Sequence, residues 1–398
     1  MNFDFDRVIA RNGTNSVKHD GRGGYFGTSD VLPMWVADMD FAAPEAVTKA
    51  LMDRASHPVY GYSFYPESMY EALISWLQMR HAWQVEREWI LMVPGVVPSL
   101  YATVLALTKP GEGVIVQPPV YPPFFSAVTA NGRRLIENPL RIEGERYVMD
   151  FDHLEQCARE GAKLMLLCSP HNPVGRVWER DELQHLLGIA RRYGMAILSD
   201  EIHADLVYPG VEHTALDTLA CDEDHLITAI APSKTFNIPG LGLSSLIARN
   251  PEHRKAIGHA FGTLHAGNYN PFSIAAFEAA YRGGEAWLNS LHEYLAGNRD
   301  CVADYIANRL PEIMFARPEG TYLLWLNCKR LGMKDDELRR FFVHEAKVGM
   351  NPGITFGMGG SGYMRMNIAS PRSVIHDALA RISRAIEAGR SSPFVPEN

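Results

Sequence analysis

With 398 residues, 46% of them hydrophobic and 21% charged, and a formal net charge of −8, the chain has the balance of a soluble globular protein with room for more than one domain. The excess of acid excludes a nucleic-acid-binding surface as the main function, because that would need a basic face. No apolar window approaches the roughly 18 residues needed for a membrane-spanning helix.

In chain order, residues 1 to about 45 read as irregular, punctuated by Gly21, Gly23, Gly24 and Gly27 and stopped by Pro33 and Pro44. Glu45–Leu51 starts like a helix, with proline just before it and an acid in its first turn. An aromatic loop, Tyr60–Pro66, precedes a helical pattern from Tyr70 to Trp83. From about residue 90, short apolar runs alternate with helical stretches. The runs Ile90–Val93, Gly113–Gln117, Arg134–Asn138, Leu164–Cys168, Ala196–Ser199, Leu226–Ile230 and Leu243–Ala248 predict strands. Ser99–Leu107, Pro122–Ala130, Asp152–Glu160 and Arg180–Tyr193 predict helices. That rhythm implies an α/β fold, a mostly parallel sheet with helices on both faces. Past about residue 285 the texture changes to a long helix near Ala286–Leu310, a strand-like Gly320–Leu326, a helix at Asp335–Ala346, a glycine-rich loop and a closing helix from Pro371 to about Ala388. The expected organisation is a large α/β domain over 48–285 and a smaller α+β domain made of 1–47 and 286–398. The five cysteines lack any CxxC spacing, the fifteen histidines lack HExxH, and the N-terminus has no basic-then-apolar signal pattern. These features predict a cytoplasmic protein with reduced thiols and no metal.

The chemistry concentrates where predicted strands end. Met195–Leu198 runs into Asp200 with His203 three places on, and Leu226–Ile230 runs towards Lys234. Open α/β sheets build ligand sites at the carboxyl ends of their strands. A lysine and an acid delivered there are the pair a pyridoxal phosphate enzyme needs: the lysine forms a Schiff base and then serves as base, while the acid pairs with the ring nitrogen. Taken singly, Lys234 reads more often as a solvated side chain, Asp200 as a helix cap and His203 as a core histidine. Asn172, between prolines in Ser169–Arg176, can donate to the cofactor's phenolic oxygen or belong to an ordinary turn. Gly95, Val96 and Val97 lead from a strand into a helix start, where backbone N–H groups bind phosphate. Tyr121 lies just beyond another strand, as a stacking ring or as core. Arg365, after the loop Gly357–Gly362, is a natural fork for an α-carboxylate or half of a surface salt bridge.

Together these segments resemble the pyridoxal-phosphate-dependent enzymes of the aspartate aminotransferase fold (fold type I), most closely the carbon–sulfur β-lyase branch of cystathionine β-lyases and cysteine-conjugate β-lyases. The likeness runs from Asp30–Phe41 through Tyr60–Tyr62, Ser169–Gly175, Ser199–Asp205 and Ser233–Leu241 to Tyr363–Asn367, and Asp-Glu-Ile-His with Ser-Lys-Thr-Phe-Asn-Ile-Pro-Gly is its most specific part. It implies Lys234 as Schiff-base lysine, Asp200 as partner of the pyridinium nitrogen, and Asn172 and His203 near the phenolic oxygen. Tyr121 becomes the stacking ring and Arg365 the carboxylate clamp. It further implies a homodimer in which Tyr62 reaches the neighbouring subunit's phosphate. Ala231 and Gly242 stand where the wider family places a phosphate-binding serine and arginine, which shifts that task to Ser233, Tyr62 and the Gly95–Val97 backbone. Trp35, Asp38, Phe41 and the loops Tyr60–Tyr65 and Gly353–Gly362 are expected around the substrate's side chain. The implied reaction is β-elimination from L-cystathionine or other S-substituted cysteines. Lys234, Asp200 and Arg365 would equally serve an aminotransferase of broad or aromatic specificity, and a partner-binding regulatory protein on the same fold is the third reading.

Overall fold

The computed structural model describes residues 3–267 and 270–391. Its described residues divide into two compact units, the larger within Ala43–His292 and Glu319–Thr321, the smaller within 3–42, Glu293–Pro318 and 322–391. The sequence-based boundaries at 48 and 285 differ from these by a few residues. The division falls inside one long helix, Glu285–Arg309, which has no local breaker to mark it.

The larger unit is organised on a seven-stranded sheet: β1 (Ile90–Val93), β2 (Gly113–Val116), β3 (Arg134–Glu137), β4 (Ala162–Cys168), β5 (Ala196–Asp200), β6 (Leu226–Ile230) and β7 (Ser244–Ile247). Their spatial order is β1-β7-β6-β5-β4-β2-β3. Only β7 runs antiparallel to its neighbours. Strands β2, β5, β6 and β7 are buried along their whole length, as a sheet covered on both faces requires. One face (Val114, Val116, Leu164, Leu166, Leu198, Ile227, Ala229, Leu246) shares a core with Leu100 and Val104 of the helix Val96–Leu107 and with Phe124 and Val128. The alternate positions Ile115, Met165, Leu167, Ile197 and Ile247 are buried as well. Besides the predicted helices, Pro251–Thr263 and Pro271–Gly283 were not foreseen; each starts with an asparagine cap and a proline in its first turn.

The smaller unit carries a three-stranded antiparallel sheet, β8 (Leu323–Asn327), β9 (Asn351–Pro352) and β10 (Tyr363–Asn367), in the order β8-β10-β9. The predicted helix Asp335–Ala346 is α-helical only to Arg340 and continues as a π-helical turn, Phe341–Glu345. The N-terminal segment is held by charge rather than regular structure. Lys18, fully buried, lies 2.8 Å from Asp40, and Arg11 bridges Asp38 and Asp40, each at 2.8 Å. Asp40 also accepts from Ser370, and Leu32–Pro33 adds a two-residue parallel pairing to Val348–Gly349. No helix of the described residues is long and apolar enough to cross a membrane.

Phe236 shows how tightly the larger unit is closed near its sheet edge. It is fully buried against Trp76, Tyr281 and Trp287 at ring separations of 5.3, 5.9 and 6.5 Å. A Cβ at Gly284 would lie 2.2 Å from its ring and 2.5 Å from the Ala280 carbonyl oxygen, so a glycine is needed for close approach. Gly284→Ala therefore forces backbone and ring apart, an overpacking of about 1–3 kcal/mol. A thermal melt should show the loss as a drop of several degrees.

Candidate active site

The sheet register decides which predicted residues meet. Parallel β4, β5 and β6 pair Cys168 with Asp200 and Asp200 with Ala229, so three strand ends terminate at one level. The next residues are Ser169–Asn172, Glu201–His203 and Ala231–Lys234. The edge is laced by Ser169 N–H to the Asp200 carbonyl at 3.0 Å and Glu201 N–H to the Ala229 carbonyl at 2.9 Å. Lys234 sits half-buried on the one-turn helix Pro232–Thr235, opened by Pro232 at a position that needs no N–H donor.

Asp200 is the most informative group. It is buried, and among the described residues its carboxylate has one hydrogen bond, from the Ile202 N–H at 3.2 Å. Burial pushes its carboxyl up to about 7; the Ile202 N–H and the Lys234 charge act against that rise, and the neighbouring Glu201 adds to it. A buried acid so sparsely bonded, with a lysine in its field, fits a ligand that brings a protonated ring nitrogen of its own. The residues present thus fit pyridoxal phosphate.

Around this pair, Asn172 is buried and His203 is 3% exposed. The loop carrying Asn172 is clamped by buried Arg176, whose Nε lies 3.0 Å from Glu319 and whose Nη2 lies 2.5 Å from Glu182. Glu319 also accepts from the Val177 N–H at 2.9 Å. Arg176 and Glu319 were not singled out from the sequence, because 143 positions separate them and only the fold joins them. Tyr121, half-buried, follows β2. Gly95 is the extended residue before the helix Val96–Leu107. Tyr62 is fully exposed in its loop.

In the smaller unit, Arg365 is buried on β10. Its Nη2 donates to the Trp35 carbonyl at 3.1 Å and to Asn351 Oδ1 at 2.8 Å, and the guanidinium lies over Phe356. Three residues expected around the substrate's side chain lie there too. Asp38, expected at the substrate, gives both carboxylate oxygens to Arg11, at 2.9 and 2.8 Å. Trp35 is a core residue stacked on Tyr25 at 4.3 Å, and Phe41 is packed against Phe5 and Tyr294. An aromatic-acidic run reads alike as pocket lining or as core plus salt bridge, and Arg11 was not visible as the partner.

Comparison with known proteins places this arrangement. Residues 29–382 match the family described as aminotransferase class I and II. The chain is 40% identical over 386 residues to cystathionine β-lyase PatB of Bacillus subtilis, covering 96% of this chain and all of that protein. Among solved structures it is similar to a pyridoxal-phosphate-bound putative aminotransferase of Clostridium difficile (TM-score 0.95, 41% identity, 97% of this chain and 100% of that one). It is similar also to cystalysin of Treponema denticola, whose structure contains pyridoxal 5′-phosphate (TM-score 0.94, 36% identity, 98% and 100%).

The raised proton affinity of Asp200 has a consequence for protein stripped of small molecules. A carboxyl whose folded-state pKa lies above its unfolded value stabilises fully below the unfolded value, and that contribution is lost as the pH rises through about 7. The melting temperature of wild type should therefore fall relative to Asp200→Asn between about pH 5 and about pH 8. A pH-independent difference between the two would contradict this account of Asp200.

Proposed function

The chain belongs to the aminotransferase class I and II family, and from that premise we propose that it is a pyridoxal-phosphate-dependent carbon–sulfur lyase. It eliminates the thiol from L-cystathionine or related S-substituted L-cysteines and leaves pyruvate and ammonia. The observation that carries the cofactor chemistry is the buried, sparsely bonded Asp200 in the field of Lys234. Elimination, rather than transamination, rests on the likeness to cystathionine β-lyase PatB along nearly the whole chain.

When bound, the cofactor supplies an electron sink for the substrate's α-carbon. The chain's residues do the rest. Lys234 would hold the cofactor through Nζ, and the same atom would take the substrate's α-proton. Asp200 would accept from the ring N–H, a charge-assisted bond that would favour the ionised carboxyl. Asn172 and His203 are assigned the phenolic oxygen, Tyr121 the face of the ring, and Ser233 with the Gly95–Val97 backbone the phosphate. Arg365 takes the substrate's α-carboxylate as a fork, already partly oriented by Asn351. The thiol leaves with the electrons of the Cβ–S bond, and water hydrolyses the remaining enamine to pyruvate and ammonia. A homodimer is part of the proposal, with Tyr62 of one copy serving the other's phosphate; full exposure of Tyr62 in the single chain is compatible with that use. Five free cysteines accord with a reducing, cytoplasmic setting.

Purified protein mixed with L-cystathionine and no added keto acid should release pyruvate and free thiol in equal amounts. Strict dependence on an added keto acid, with no thiol released, would instead mark an aminotransferase. Lys234→Ala should lose visible absorption and at least about a thousandfold in kcat. Arg365→Lys, which keeps the charge but not the fork, should raise KM for the amino acid about tenfold or more.

A further inference from the structure

Asp205 lies five residues beyond Asp200 and takes no part in the steps above. It is 8% exposed. Its carboxylate accepts from Trp76 Nε1 at 3.1 and 3.2 Å, bonds His81 Nε2 at 2.9 Å and accepts from Thr235 Oγ1 at 3.0 Å. One side chain thus ties the helix Glu67–His81 to the turn that carries Lys234. The backbone beside it is pinned as well, by His292 Nε2 at 2.6 Å from the Asp205 carbonyl. Burial by itself would raise the Asp205 pKa, yet the His81 and Thr235 hydrogen bonds hold it below the ordinary carboxylate value. The network has a second arm. His81 meets His213 edge to face, ring centroids 5.6 Å apart, and His213 Nε2 lies 2.9 Å from the Glu201 carboxylate. Glu201 is fully buried and adjoins Asp200.

The same buried network therefore grips the neighbour of Asp200 at one end and the neighbour of Lys234 at the other. A buried carboxylate is expensive to desolvate, and an apolar residue would fill this space at less cost if packing were all that was needed. We infer that Asp205 is a positioning residue, which through the Thr235 hydroxyl fixes the turn from which Lys234 reaches towards the group held by Asp200. The inference rests on the reading that Lys234 bonds the cofactor. Misplacement of a reacting group by a fraction of an ångström slows reaction without weakening substrate binding.

The test uses full-length protein: wild type, Thr235→Val, Thr235→Ser and Asp205→Asn. Two quantities are followed. One is the rate at which cofactor-free protein acquires the visible band of Lys234-bound pyridoxal phosphate; the other is kcat and KM for L-cystathionine. Thr235→Val should slow band formation and lower kcat, each about tenfold, with KM within about twofold, and Thr235→Ser should restore both. Asp205→Asn, which keeps size but removes the charge, should slow band formation likewise, and it decides the matter if Thr235→Val does not fold. Wild-type rates in Thr235→Val, a change in melting temperature alone, or a serine variant no better than valine would overturn the positioning role. A wild type that never develops the band would overturn the Lys234 assignment itself, and the positioning role with it.

Discussion

The structure depends on the register of three buried parallel strands. With Cys168, Asp200 and Ala229 level across β4, β5 and β6, every chain leaving the sheet there starts from one edge. Side chains alternate across a strand, so a slip of one residue in β5 would turn Asp200 to the opposite face and bring Ser199 or Glu201 forward. The slip is resisted because a one-residue shift would bring Ser199 into the fully buried apolar place of Leu198. Packing along the strands thus decides which carboxylate lies in the field of Lys234.

Beyond the strand ends only isolated bridges such as His171 with Arg176 remain, and buried charge adds to the placement of the loops. Arg176 with Glu319 and Glu182 clamps the Asn172 loop. His213 with Glu201, and His81 with Asp205, hold the segment after Asp200. In the smaller unit, Lys18 and Arg11 with Asp38 and Asp40 secure the N-terminal segment. Such pairs are weak evidence for stability, because desolvation offsets much of their attraction. Their demand for particular partners is directional, and that gives a loop one conformation.

Asp200 differs from these groups. The others are paired with opposite partners within the fold, whereas the Asp200 carboxylate is left with one backbone donor and a proton affinity raised by burial. That is a deficit only in the absence of a cation, and a protonated pyridine removes it. Such an acid favours a ligand that carries its own positive charge.

Much of this was legible along the chain. Apolar runs bounded by turn residues marked all seven strands of the large sheet, and polar residues just past their ends marked Asn172, Asp200 and Lys234, because strand ends are where open sheets present side chains. What only the tertiary structure decided was pairing. An apolar run reads the same in either direction, so the antiparallel course of β7 was invisible. The strand expected from Gly320 begins at Leu323, since Glu319–Thr321 is bonded to Gly175, Leu206 and Tyr208 in the larger unit. Asp38 went to Arg11 and Asp205 to His81 and Thr235, although nothing local distinguishes those acids from Asp200. An acid's role is set by the donors and the dielectric around it, and residues far apart in sequence supply both.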